Sequence, residues 1–400
     1  MRSPGPRTVV SALGVTQILA WGSSYYLPAV LAQPIARDTG WPLPWVVGGL
    51  SLGLLIAGLV SPLVGRQIHG RGGRPVLAAS AVLLAAGQLG LAAAPSLAVF
   101  VAAWAVIGLG MGAGLYDAAF STLGRLYGHA AHRRIAALTL FGGLASTACW
   151  PLSAAMVEAF GWRGACVAYA LIQLCVSLPI HLFLLPRETA PPDPEPARAA
   201  AAGPAAPDPT AGAPAAGGVF LLLAATITIG AVISTVISVH LLTLLQSRGL
   251  ALSAAVALGA CVGPSQVGAR FIEMLIGRHH HPIWTLLASA VFVALGLGLL
   301  WLDIPFLLPA LVLYGAGIGI ESIARATLPL TLFGPTHYAP IMGRLARPSL
   351  ISQAVAPALA ALLLQALGVE PMLAIVVGVA VLNAILALLL FPLARGRHPA

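Results

Sequence analysis

The chain has 400 residues, 59% of them hydrophobic and only 8% charged, with a mean hydropathy of +0.96; that leaves too little polar surface for a soluble globular protein of this size. All 20 basic residues are arginine and 11 residues are acidic, for a net charge of +9. The arginines stand in short loops between apolar runs, not in a contiguous patch interleaved with aromatics, which excludes a nucleic-acid surface. Apolar runs of about 20 residues match the hydrocarbon thickness of a bilayer, and no window alternates like a barrel strand. The chain therefore reads as an all-α polytopic membrane protein whose helices satisfy their own backbone.

In chain order, spans are predicted near 8–34, 45–67, 75–94, 97–127, 135–159, 163–185, 218–246, 252–276, 282–302, 305–333, 340–367 and 371–393. The head MRSPGPR runs straight into the first span with no small-residue cleavage site, so that span reads as an uncleaved helix. Within it Gln17, Trp21, Ser24 and Pro28 recur at intervals of four, three and four residues with Tyr25 beside them, a stripe that can face a substrate or pack about a proline kink. The fourth span, GLGMGAGLYDAAF, places Asp117 in an apolar, glycine-rich run. An ionised carboxylate at the centre of a lipid-exposed helix costs several kcal/mol, so Asp117 needs water, a partner or a proton. The glycines around it read as close helix packing; no strand precedes them and no lysine exists to make a phosphate loop. Cys149, Cys166, Cys175 and Cys261 fall inside spans without CxxC pairing and read as small apolar fillers.

Proline and alanine fill 21 of the 32 positions 186–217, a composition that builds an extended linker and no core. It divides the chain into six-helix units at 1–185 and 218–400. Span seven offers Thr228, Ser234, Thr235 and Ser238, hydroxyls able to bond back to their own helix, and His240, a proton carrier or an interfacial hydrogen-bonding group. The tract His279 to His281 reads as a variable basic loop and not as a metal site. In span ten Glu321 and Arg325 stand at i and i+4, an orientation that favours pairing. With the N-terminus in the cytoplasm, fourteen loop and terminal arginines fall inside and only Arg37, Arg163 and Arg248 outside, so the termini and linker are expected to be cytoplasmic. Trp41, Trp45, Trp162 and Trp301 then form an outer interfacial belt.

The halves repeat. GLGMGAG from Gly108 matches GAGIGIE from Gly315, Pro151 matches Pro357, and Pro62 with Gly65 match Pro264 with Gly268, all at offsets of 202 to 207. Two like-oriented six-helix repeats are the signature of a secondary transporter. The same alignment sets Asp117 opposite Ala324, one position from Arg325, so the acid and the arginine are expected at similar depth.

The segment GRQIHGRGGRP, Gly65 to Pro75, resembles the loop 2–3 signature of the major facilitator superfamily, and the likeness covers nearly the whole chain. GWPLPWVVGGLSLGLLIAGLVSPLVGRQIHGRGGRPVL and VHLLTLLQSRGLALSAAVALGACVGPSQVGARFIE look like its bacterial branch of monocarboxylate-transporter-like and oxalate/formate-antiporter-like proteins. The resemblance implies twelve transmembrane helices in two six-helix bundles around a central cavity lined by spans 1, 4, 7 and 10. It also implies a gate from Gly65, His69, Arg71 and Arg74 in the first half and Gly268, Glu273, Arg344 and Arg347 in the second. His69 departs from the acidic signature position, so latching is expected to depend on Glu273 pairing with Arg344 or Arg347, unless Glu273 only neutralises Arg270.

These readings converge on a monomeric transporter of the bacterial inner membrane, without cofactor or metal. It would move a small organic anion such as a monocarboxylate by alternating access, proton-coupled or by exchange. Gln17, Trp21, Ser24, Tyr25 and Arg325 are the expected substrate contacts, with Asp117 and Glu321 as coupling groups. Export of drugs or trivalent metalloids is the alternative, with Cys149, Cys166 and Cys175 as its support, and a transport-dead sensor is a further one. No HExxH or paired-aspartate motif lies in a span, which argues against an enzyme.

Overall fold

Proline 28 shapes the first crossing. It has no N–H for the Ser24 carbonyl four residues back, and its ring would collide with that carbonyl in a continuous helix. The computed structural model, which describes residues 4–187, 214–302 and 307–395, accordingly splits this crossing into α1 (Pro6–Gly22) and α2 (Leu27–Thr39), with Ser23 to Tyr26 as a turn and Pro28 in the first turn of α2. The expected continuous stripe from Gln17 to Pro28 is thus interrupted.

Crossings two and three are α3 (Leu43–Arg71) and α4 (Gly73–Ala92). The fourth is also split, into α5 (Leu97–Gly114) and α6 (Tyr116–Tyr127), about an extended Leu115. The fifth begins as α7 (Ala131–Gly143) and continues in α8 (Ala145–Ile172), which reverses at Gly161, φ 70°, into the sixth. The sixth ends through a π-turn, Gln173–Ser177, and α9 (Leu178–Leu184). The second half holds α10 (Pro214–Gln246), α11 (Leu252–Ala260) with α12 (Val262–Ile276), α13 (Pro282–Trp301), α14 (Leu307–Phe333), α15 (Tyr338–Leu367) and α16 (Val369–Arg395). Together these make twelve crossings, with no strand among the described residues. The linker, apart from its ends, and Arg2, Arg198 and Arg397 lie outside the described residues.

Both halves use their glycine helix identically. Gly108 and Gly112 bring α5 onto α3, and Gly110 brings it onto α4; Gly315 and Gly319 bring α14 onto α12, and Gly317 onto α13. A Cβ at Gly108 would stand 2.6 Å from the Gly53 carbonyl and one at Gly315 2.8 Å from that of Val262, so any side chain here would force the helices apart.

The face bearing Pro6 and Arg395 is here called the terminal face, and the opposite one the far face. The halves meet mainly toward the terminal face, through α3 and α6 against α15 and through α7 against α12 and α14. Ser61 donates to the Gly343 carbonyl at 2.9 Å, and Tyr338, fully buried beside Gly124, donates to Ala326 at 2.8 Å. Leu330, Tyr338 and Met342 complete a first-half core containing Leu123, Ile135 and Leu138. Each would contribute about 1.5–3 kcal/mol to closure against a water-filled opening. The far-side half-helices α2, α8 and α11 pack on their own halves. The central cleft between the halves is therefore packed more tightly at the terminal face than at the far face.

Candidate functional site

A split helix leaves backbone groups without partners, and in a membrane something else must satisfy them. Two buried glutamines do so. Gln88 of α4 donates to the Ser23 carbonyl at the first break, and Gln17 of α1 donates at 2.6 Å to the Gly114 carbonyl at the fourth. Gln173, in the π-turn of the sixth crossing, donates to the Ser23 hydroxyl at 2.8 Å, a use typical of such turns. Gln17 is thus turned into the packing and away from the cleft. Ser24 is also fully buried and bonds back to Ala20 at 2.6 Å. The first break instead presents Trp21, Tyr25 and Tyr26. Trp21 lies 5.2 Å from Tyr25, 6.0 Å from Tyr26 and 5.1 Å from Tyr116, and Trp150 stands 6.1 Å from Tyr26. The Trp21 indole N–H is buried with no partner among the described residues. Across the cleft Tyr25 interacts with Thr235, which also meets Gln353 at 3.4 Å.

Below this aromatic wall the fourth break sets Asp117 in the first turn of α6, where the helix dipole favours an anion. Arg325 of α14 donates to its carboxylate at 2.9 Å, with the side chains 20% and 17% exposed. The pair joins the two halves at the cleft floor. Glu321 is buried and does not bond to Arg325; its carboxylate lies against α10 at Gly230, where a Cβ would strike it.

Arg270 of α12 is the functional side chain that the sequence showed only as a neighbour of Glu273. It is buried and reaches across the halves, donating to the Thr139 carbonyl at 3.0 Å and the Gly319 carbonyl at 3.1 Å. Gly143 leaves room for its guanidinium. Tyr116 shares the Thr139 carbonyl at 3.3 Å.

The expected gate is corrected in several places. Glu273 pairs with neither Arg344 nor Arg347, because α12 and α15 do not pack together; it accepts from Thr285 at 2.6 Å, with His280 at 3.7 Å. It does not neutralise Arg270 either. Arg344 instead lies 4.8 Å over the Phe220 ring, and Arg347 is exposed. Gly65 is needed for close approach to Ala339 and Gly343, whereas a Cβ at Gly268 would meet nothing within 4 Å. The His69 carbonyl accepts from Arg125, and Arg71 and Arg74 line a surface cavity on the terminal face. His240 approaches the Pro357 carbonyl at 3.4 Å, and the Thr228 hydroxyl is buried with no partner among the described residues.

Cys149 donates to Ile18 at 3.4 Å, Cys166 is buried and Cys175 is exposed. No cluster of three or more metal-ligating His, Cys, Asp or Glu side chains occurs among the described residues. At the far face, exposed Asp38 lies past the apolar part of the first crossing and accepts from Trp162 at 2.8 Å and Arg163 at 2.7 Å. Those two donors, the indole first, hold its carboxyl below the usual range.

A family model, the Major Facilitator Superfamily, matches residues 13–346. Among solved structures the chain is similar to a human organic anion transporter, at 17% identity and TM-score 0.75, covering 96% of this chain and 100% of that one. It is similar also to the E. coli fucose:proton symporter FucP, at 14% identity and TM-score 0.68, covering 98% of each chain, and to FucP in the outward conformation, at 14% identity and TM-score 0.70, covering 98% and 99%. A proton:xylose symporter matches at 13% identity and TM-score 0.72, covering 95% and 94%. An uncharacterized 38 kDa protein in a 23S RNA operon of Thermoproteus tenax is 31% identical over 180 residues, 45% of this chain, and the chain spans about half, 47%, of that relative.

Proposed function

The chain belongs to the Major Facilitator Superfamily, and from that premise we propose that it carries a small organic anion across the bacterial inner membrane by alternating access, coupled to protons or by exchange. The observation that carries this reading is the Asp117–Arg325 pair, 2.9 Å apart between the two halves and partly open to the cleft. A guanidinium recognises a carboxylate through parallel N–H donors. A substrate carboxylate that takes Arg325 leaves Asp117 without its counter-charge, and a lone carboxylate in an apolar cleft takes up a proton. Substrate binding at Arg325 and proton uptake at Asp117 are then coupled through one arginine, while Trp21, Tyr25, Tyr26 and Trp150 supply an apolar wall for the rest of the solute. Glu321, also buried near Arg325, is the second coupling group in this reading. The human organic anion transporter among the structural neighbours supports an anionic solute, and the fucose:proton and proton:xylose symporters support proton coupling.

The arginine asymmetry supports placing the terminal face in the cytoplasm, and the tighter packing between the halves at that face supports an outward-facing state. Metalloid export finds little support, since Cys149 is engaged with backbone and Cys166 is buried. The test is uptake of labelled small carboxylates into proteoliposomes under an imposed pH gradient. Gradient-driven accumulation of at least one carboxylate, lost in Arg325→Gln, is expected; accumulation only of neutral sugars or cations would overturn the anion reading.

A further inference from the structure

Where α3 hands over to α4, the terminal face holds a cavity of about 300 Å³ lined by Arg71, Gly72, Arg74, Pro75, Leu182 and Arg187. We propose that it binds a phosphate ester, supplied by the headgroup of an anionic membrane lipid. Gly72, at φ 85°, is in the left-handed region that glycine adopts without strain. It lets the chain reverse within one residue, so Arg71 at the end of α3 and Arg74 in the first turn of α4 share one cavity. The segment just after α9 adds Arg187 to the lining.

None of the three arginines has a carboxylate partner among the described residues. Asp38 is bound to Trp162 and Arg163, Asp117 to Arg325 and Glu273 to Thr285. Glu321 lies against α10 at Gly230, and Glu370 lines a cavity beside Arg248. Glu158 stands just before the Gly161 reversal, at the far face. Three guanidinium groups around one cavity repel each other unless an anion sits between them. Their planar forks fit phosphate oxygens, and the positive end of the α4 dipole adds to the attraction. The same mouth has an apolar side: Pro75 and Leu182 line it, and Phe183 and Leu184 follow at 75% and 38% exposure. A charged pocket beside exposed apolar side chains at the edge of a bundle suits a headgroup with acyl chains better than a free ion.

The test uses the full chain in nanodiscs of phosphatidylcholine with graded phosphatidylglycerol, reading lipid retention by native mass spectrometry together with the thermal unfolding midpoint. Each arginine near an anionic surface contributes about a fivefold preference. Wild type should thus retain phosphatidylglycerol on the order of 100-fold better than R71Q/R74Q/R187Q, and R187Q alone should lose about fivefold. The single variant keeps the test sound if the triple one fails to fold. A second arm adds millimolar inorganic phosphate in pure phosphatidylcholine. A midpoint shift there that R187Q removes supports the same site with free phosphate as its source. Equal phosphatidylglycerol retention by wild type and both variants, with no response to phosphate, overturns the proposal.

Discussion

Replacing Asp117 or Arg325 singly strands a charge at the cleft floor, and replacing both removes the problem. At about 4 Å and an effective dielectric near 20, an ion pair is worth about 4 kcal/mol. With the side chains 17% and 20% exposed, water in the cleft reduces that value, and a coupling energy of about 1–3 kcal/mol remains. With the pair partly open to water, Asp117→Asn and Arg325→Gln should each destabilise the protein by about 1.5 kcal/mol, while the double variant should lie about 0–1 kcal/mol below wild type, which closes the cycle at about 2–3 kcal/mol. Reversible unfolding of all four proteins in mixed micelles gives the cycle. In proteoliposomes Asp117→Asn should lose pH-gradient-driven accumulation by at least about tenfold, equivalent to 1.4 kcal/mol, and keep substrate binding and some exchange. Arg325→Gln should lose binding itself. A coupling energy below about 0.5 kcal/mol, or Asp117→Asn transporting under a pH gradient as well as wild type, would refute both the bridge and the coupling role.

Where α15 crosses α3, Gly343→Ala would push a methyl group against the Ser61 carbonyl. It should weaken terminal-face closure by about 1–3 kcal/mol, read as raised cysteine labelling from that face. Gln88→Leu leaves the Ser23 carbonyl at the first break unsatisfied and should cost about 1–3 kcal/mol of stability, measured by thermal unfolding. Asp38 has a lowered carboxyl in the folded protein, so its clasp stabilises above the ordinary carboxylate value and is lost as pH falls from about 4 through the folded value; Asp38→Asn should flatten that part of an acid-unfolding curve. For orientation, single cysteines at Ala206 and at exposed Ala93 should label oppositely with an impermeant maleimide on intact cells, only Ala93→Cys reacting from outside; reaction at Ala206 would reverse the topology.

Twelve crossings were legible because lipid demands long apolar runs, and each such run is written locally. The repeat was legible for a related reason: close packing of Gly108, Gly110 and Gly112, and of Gly315, Gly317 and Gly319, leaves no room for a side chain, so the same spacing survives in both halves. That register also set Asp117 and Arg325 at one depth before any contact was known. Pro28 announced an irregularity, but its extent was set by Gln88, 65 residues from Ser23, which satisfies the opened backbone carbonyl, and by Gln173, 150 residues away, which holds the Ser23 hydroxyl. Glu273 and Arg270 looked like neighbours that neutralise each other or a gate. Their directions were decided by which helices flank α12: Thr285 on α13 takes the carboxylate, while α7 and α14 offer carbonyls to the guanidinium. A helical period says which residues share a face, but the partner of a buried charge is chosen by whatever the fold packs against that face.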